Sequence, residues 1–430
     1  MNGEHFLWAG GNKDGKTSDT EASHRSLTRR QLLGWGAGVS VASLLAACAP
    51  QDGPATPTVA DFEPSLEPPD NLEQRDITIG FVPITCASPI VNAAALHIYE
   101  QYGLNVTLRR YTGWAELWIA FVAGELDATQ MLAPMPLAIH HNFADGQRDI
   151  RLPYVTNING NGISVAQHLQ GDVEGPEDFA GLRLGLPFDY SVHNLLARDY
   201  LASGGLDPQH DVDLRIMRPA DMVIALAVGQ IDAFCLPDQF CQRAVAEEAG
   251  FIHALTKDLW QEHPCCSFAV ADDFATNNPN TYTALLRAIG DSALFIDDGH
   301  NRAQTAELMA QPAYLGLPEP VLTAVLTGEF PDGTGQEHSV PDRIGFQPYP
   351  HESYGVWMLD SMQRWGLTGD STFTSGDEYS AAVRDVFDPE SAGQVLDQLG
   401  GQIQERTTET VLGEAFDPQN PAEWSSANEQ

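Results

Sequence analysis

The chain has 430 residues, 43% of them hydrophobic, with 22 Lys/Arg against 59 Asp/Glu and a formal net charge of −37. That length supports two lobes around one or two cores, and no apolar run in it reaches the roughly 18–20 residues of a membrane span. The charge argues against nucleic acid and anionic lipid as partners, because phosphate recognition needs clustered Lys/Arg and the only lysines are Lys13, Lys16 and Lys257.

Residues 1–47 read as an export address rather than as fold. Thr28-Arg29-Arg30-Gln31-Leu32-Leu33 resembles a twin-arginine signal, and an apolar Gly/Ala-rich stretch follows to Ala47. The stretch ends in Leu45-Ala46-Ala47-Cys48, which resembles a lipoprotein box, so Cys48 is the expected lipidation site. Acyl chains there would anchor the protein without spanning the membrane, on the outer face of the cytoplasmic membrane or in the periplasm. Residues 48–75 hold Pro50, Pro54, Pro57, Pro64, Pro68 and Pro69 among many acids, which predicts a stiff, extended tether.

From Asp76 onward, strand and helix patterns alternate, the signature of an α/β fold. Ile77-Thr78-Ile79-Gly80 predicts a strand, and Leu182-Arg183-Leu184-Gly185 repeats it 105 positions later. IAFVAGELDA (119–128) and IALAVGQIDA (224–233) lie at the same offset of 105, with five of ten positions identical. Each half therefore predicts strand, helix, strand, helix, strand. The second strands are Asn105–Tyr111 and Val212–Arg218, and the Gly of each repeat ends its helix in a left-handed cap. Two such lobes enclose a cleft, and ligands in open α/β sheets sit beyond the carboxyl ends of strands. Those ends carry the loops 82–89 and 187–194, each just before a helix. Helix N-termini offer free N–H groups and a positive dipole end, worth roughly 0.3–1 kcal/mol per charge. An acidic chain can hold an anion in this way.

Glu100, Asp127 and Asp232 read as surface or turn residues, and His140-His141 as structural. Residues 270–400 read as helices and loops packed on the first lobe, and the tail from Ser425 as disordered. The predicted lobes are 76–165 with 270–424, and 166–269. The six cysteines are Cys48, Cys86, Cys235, Cys241, Cys265 and Cys266. With Cys48 lipidated, five remain, an odd number for an exported chain. The candidate pairs are Cys235 with Cys241, and Cys86 with Cys265 or Cys266. Buried, inert thiols are the simpler reading. None has zinc-site spacing, so no metal and no cofactor is expected, although three thiols lining a pocket near a histidine would suit a soft ion. No nucleophile elbow, phosphate loop or His-Glu-x-x-His is present, so no enzyme is expected.

Several stretches together resemble the nitrate/bicarbonate-type binding proteins of ABC importers. They are Met131-Leu132-Ala133-Pro134-Met135-Pro136-Leu137-Ala138-Ile139, Asn159-Gly160-Asn161, Ser191-Val192-His193-Asn194-Leu195-Leu196, Tyr349-Pro350-His351, Met362-Gln363-Arg364-Trp365-Gly366 and Phe416-Asp417-Pro418. The resemblance covers nearly all of 76–424. It implies a two-lobed periplasmic-binding-protein fold of type II that delivers a small oxyanion (nitrate, nitrite or bicarbonate) to a permease and its ATPase. Calcium enters only if the ligand is bicarbonate. Carried over by motif, Trp114 forms a pocket wall, Asn161 offers a side-chain hydrogen bond and His193 donates to the anion. Thr85 and Cys266 complete the set. The departures sit beside them. His263-Pro264-Cys265-Cys266 stands where the family commonly has His-Pro-Glu-Lys, so Cys266 replaces a lysine. Pro83-Ile84-Thr85-Cys86-Ala87 and Leu236-Pro237-Asp238-Gln239-Phe240 also differ from the family pattern. A thiol cannot supply an ammonium charge. The other readings are a surface sensor of this fold docking a regulatory partner, a binder of another small ligand or soft metal through Cys86, Cys265 and Cys266, and an enzyme of the thiamine-precursor-synthesis type.

Overall fold

A computed structural model describes residues 62–144, 146–421 and 423–424. The motif at Arg29-Arg30, the lipidation site Cys48 and the tail from Ser425 lie outside the described residues.

The repeat folds as its periodicity requires. The first half runs β1 (Asp76–Phe81), α1 (Ser88–Ala95), α2 (Ile98–Gln101), β2 (Asn105–Arg110), α3 (Trp114–Val122), β3 (Ala128–Leu132) and α4 (Met135–His140). In β1, Ile77 and Ile79 are buried, the alternation of a strand with one face on the core, each contributing roughly 1.5–3 kcal/mol. β1 pairs in parallel with both β2 and β3. β4 (Ile150–Asn159) and β5 (Asn161–Ala166) follow, and the second half repeats the plan. Its elements are β6 (Arg183–Leu186), α5 (Val192–Ser203), β7 (Asp213–Ile216), α6 (Pro219–Ala227), β8 (Ala233–Pro237) and α7 (Asp238–Ala246). There β6 pairs in parallel with β7 and β8. Gly124 and Gly229 both take positive φ, +76° and +69°, so the expected left-handed ends are present.

The two aspartates of the repeat are not turn decoration. Asp127 accepts from the Thr78 N–H at 2.8 Å, and Asp232 from the Arg183 N–H at 2.9 Å. Each aspartate N–H in turn donates to the carbonyl of the same residue, Thr78 or Arg183. Thr78 and Arg183 are themselves 105 positions apart. The LeuAsp/IleAsp step therefore stitches the third strand of each lobe to the first. Asp232 is buried and also pairs with Arg183 at 2.6 Å, so of its reading as a surface or turn residue only the turn position, just before β8, holds. His140 and His141 are structural: the first accepts from the Ile150 N–H and the second contacts the Ala382 carbonyl.

Two antiparallel strands cross between the lobes. β5 joins the second sheet, between β8 and β9 (Gly250–Leu255), and β10 (Pro264–Ala271) returns to the first, between β3 and β4. The crossovers fall at Asn159–Asn161 and between Leu255 and Pro264, a few residues ahead of the expected boundaries at 165/166 and 269/270. At the first, Asn159 and Gly160 take positive φ, 56° and 79°, and a Cβ on Gly160 would meet Ile344 Cδ1 at 2.8 Å. Only glycine suits that position.

The expected tether is shorter than 48–75. Among the described residues, Ser65 bonds Asp291 through both its N–H and its hydroxyl, and Arg287 donates to the Glu67 carbonyl. Phe62 packs edge-on against Phe295, with centroids 5.7 Å apart. Residues 62–75 thus lie against the long helix Pro279–Asp297 of the first lobe, because that segment offers Phe62 and Leu66 to the core cluster.

Candidate functional site

Three helix starts converge on the seam between the lobes. The turn Thr85–Ala87 follows β1 and leads into α1, α5 begins beyond β6, and α7 begins directly after β8. In α5 the N-cap role belongs to Ser191, whose Oγ accepts from the Asn194 N–H at 3.0 Å. His193 is therefore free to point elsewhere. It reaches Asn161 at the start of β5, with Nε2 2.8 Å from Oδ1. Cys265 Sγ lies 3.1 Å from the same oxygen, Cys86 Sγ 3.5 Å from Cys265 Sγ, and Cys266 Sγ 3.7 Å from Cys265 Sγ. Across the seam, the Thr85 hydroxyl donates to Gln239 Oε1 at 2.7 Å. All these side chains are buried.

A β-bulge produces the thiol arrangement. Neighbouring residues on a regular strand point to opposite faces, but the β10–β4 register shifts on either side of Cys266. Bulges re-aim side chains in this way. Cys266, Cys265 and Cys86 consequently bring their sulfurs within 4.8 Å of one another.

Hydrogen bonding leaves two amide donors and one imidazole nitrogen unspent. Asn161 Nδ2, Gln239 Nε2 and His193 Nδ1 are buried without a hydrogen-bond partner among the described residues. Burial of such groups without a partner costs roughly 1–3 kcal/mol each, so a ligand able to accept from the two amides recovers their share of that cost. Asp238 is fully buried, and its ion pair with Arg343 (2.9 Å) is equally buried. Burial pushes the Asp238 carboxyl up, against the pull of Arg343. Burial also pushes the Cys86 and Cys266 thiols up. At Cys265, burial is outweighed by S–H donation from Cys266 and Cys86 and by the nearby His193, which bring that thiol well below its usual range. The three thiols share one favoured position for a negative charge. His263, on the second crossover, is held neutral by burial, with a pKa lowered to about 4.

The structure brings Thr85, Asn161, His193 and Cys266 together at this point. Trp114 lies on the same seam between the lobes. It lines a 220 Å³ cavity with Pro187, Phe188, Met217 and Arg218, beside the Glu116–Arg218 ion pair that joins the lobes at 2.6 Å. Trp118, at helical spacing from it, packs against Phe188 and Tyr190 with centroids 5.9 and 5.7 Å away. Both tryptophans are buried. All five described cysteines are free thiols, so neither candidate pairing forms a bridge here. Sequence reasoning missed Gln239 and Arg343. Gln239 lay inside Leu236–Phe240, a segment singled out only for departing from the family pattern. Arg343 carried no signal beyond being an arginine in a polar stretch.

The model of the NMT1-like family matches residues 70–310. The nitrate/nitrite binding protein NrtA of a Nostoc species is 25% identical over 433 residues, spanning 93% of this chain and 97% of that one. The bicarbonate transport ATP-binding protein CmpC of Synechococcus elongatus is 31% identical over 314 residues, 69% of this chain. The chain spans about half of that relative's length, 46%. Among solved structures, the periplasmic nitrate-binding protein NrtA of a Synechocystis superposes with a TM-score of 0.78 at 23% identity, covering 83% of this chain and 99% of that one. The two α/β lobes expected from the repeat, and the periplasmic-binding-protein fold that the resemblance implied, are the fold found, and the chain belongs to the NMT1-like family.

Proposed function

We propose that this protein is the extracytoplasmic binding component of an ABC importer, that it captures a small oxyanion (nitrate, nitrite or bicarbonate), and that it catalyses no reaction. The observation that carries the reading is the set of unspent nitrogens, Asn161 Nδ2, Gln239 Nε2 and His193 Nδ1, buried where three helix starts meet. Amide N–H groups donate to an oxyanion without carrying charge, and helix N-termini add a positive potential. His193 already gives its Nε2–H to Asn161 Oδ1, so its Nδ1 is an acceptor in the neutral ring and donates to an anion only in the imidazolium form. Asn161 begins the crossing strand β5, so a ligand bound to it and to Gln239 is grasped beside the axis on which the lobes open and close. The full-length likeness to NrtA supports nitrate or nitrite, and that to CmpC supports bicarbonate. In the same reading Arg29-Arg30 direct export, Cys48 carries the lipid anchor, a permease and its ATPase receive the cargo, and calcium takes part only if that cargo is bicarbonate.

Isothermal calorimetry on the reduced mature chain tests this. Residues 62–75 pack on the first lobe, so they stay in the protein under test. Nitrate, nitrite and bicarbonate, the last with and without calcium, are titrated into it. Micromolar or tighter binding to one of them, lost in His193→Ala, names the cargo. No heat with any of the three overturns the oxyanion reading.

A further inference from the structure

The thiol cluster has a geometry that oxyanion capture does not use. We infer that Cys86, Cys265 and Cys266 form a binding site for a soft d10 metal ion such as Zn(II) or Cu(I), held by three thiolates. Metal–sulfur bonds of about 2.3 Å in a tetrahedral site place the sulfurs roughly 3.8 Å apart. The sulfurs here are 3.5 Å apart for Cys86–Cys265 and 3.7 Å for Cys265–Cys266, and all three lie within 4.8 Å of one another. Small rotations of the side chains complete the triangle.

Two further features mark this as a built arrangement. The bulge at Cys266 turns a vicinal pair onto one side, which a regular strand does not do. The partner Cys86 comes from the turn after β1, far away in sequence, and all three thiols are fully buried. Thiolate is also the ligand that selects a soft ion over magnesium or calcium. Three protein ligands leave a fourth position, and Asn161 Oδ1 of the second lobe lies 3.1 Å from Cys265 Sγ. His193 stands behind it. Binding releases the thiol protons to solvent, and no oxidant or reductant takes part. The inference goes beyond the oxyanion reading and does not depend on it.

Cobalt(II) is the probe. It is titrated anaerobically into the reduced, metal-free full chain. The expected result is one equivalent of thiolate-to-cobalt charge-transfer absorption, displaced by Zn(II). Cys86→Ser, Cys265→Ser and Cys266→Ser each abolish it, and the double variant Cys235→Ser/Cys241→Ser keeps it. Because a core variant can fail to fold, wild-type protein is also alkylated with and without Zn(II) and mapped by mass spectrometry. Joint protection of Cys86, Cys265 and Cys266 relative to Cys235 and Cys241 supports the site. No charge-transfer absorption, or equal alkylation of all five thiols with and without Zn(II), overturns it. The anion titrations are run on metal-free protein, so failure of either idea leaves the other standing.

Discussion

His351 gives a stability prediction that is independent of the ligand. It immediately precedes the helix Glu352–Arg364 and meets Tyr349 and Tyr354 edge-on, with ring centroids 4.9 and 5.0 Å away. Burial lowers its pKa from 6.5 to about 4, and a helix start also disfavours a cation. A histidine whose folded pKa is depressed stays neutral in the folded state while the unfolded chain takes up a proton. Stability is therefore intact above the unfolded pKa and falls as pH drops from about 6.5 toward 4. Linkage at roughly 1.4 kcal/mol per pH step puts the loss at about 3 kcal/mol by pH 4. Many carboxylates titrate in the same range, so the measurement is a difference: urea unfolding of wild type and His351→Phe at pH 7, 6, 5 and 4. The variant should gain on wild type by about 3 kcal/mol between pH 7 and pH 4. Parallel pH profiles would refute the assignment of a half-buried His351 that stays neutral.

Three substitutions test the seam. Asn161→Ala should weaken the anion named by calorimetry by about 1–3 kcal/mol, or roughly 5- to 150-fold, since it removes one donor and releases His193; unchanged affinity would place the ligand elsewhere. Arg343→Met leaves Asp238 buried without its partner and should destabilise the fold by about 3–5 kcal/mol in urea unfolding. Asp238→Asn added to it should restore part of the loss, and a cost below about 1 kcal/mol would count against a buried charged pair. Gly160→Ala forces a side chain into positive φ and against Ile344, at a cost of about 1–3 kcal/mol. It should also weaken ligand binding, because the Gly160 carbonyl accepts from the Asp238 N–H that starts α7. Binding equal to wild type would remove the crossing strand from the account.

The repeat made most of the architecture legible, because a strand–helix–strand unit written twice at one offset constrains both lobes together. Asp127 and Asp232 recur in both copies, and that recurrence was the available signal for their shared backbone role. The lobe crossovers were harder to read. β4 and β5 are continuous in hydrophobic pattern, so only Asn159-Gly160 marks the change of sheet. The helix N-termini were legible, and Asn161 and His193 were each named through the family motifs, though not as partners of one another. Cys86, Cys265 and Cys266 were named together as a soft-metal alternative, with buried, inert thiols the simpler reading. What was not legible is the bulge, because vicinal cysteines on a regular strand should diverge and only the β10–β4 register shows the shift that turns them together. Gln239 was hidden for a different reason: an amide inside an unfamiliar segment carries no chemical signature until its partner Thr85 is seen across the seam.

The charge of the chain and the chemistry of the site pull in opposite directions, and their separation in rate constants is measurable. The net charge of −37 repels an incoming anion at long range. The donors identified at close range, Asn161, Gln239 and the helix starts, are neutral, and the buried cation Arg343 is already paired with Asp238. Added salt shortens the screening length from about 30 Å at 0.01 M to about 10 Å at 0.1 M. It should therefore raise the association rate, while dissociation, governed by buried neutral hydrogen bonds, stays constant. Stopped-flow tryptophan fluorescence reads both rates, since Trp114 and Trp118 lie on the seam. An affinity that strengthens with an inert salt through association alone supports a pocket of neutral donors. An affinity that weakens with salt would mean that an unpaired cation acts on the ligand, and the replacement of the family lysine by Cys266 would then have been compensated by a charge outside this constellation.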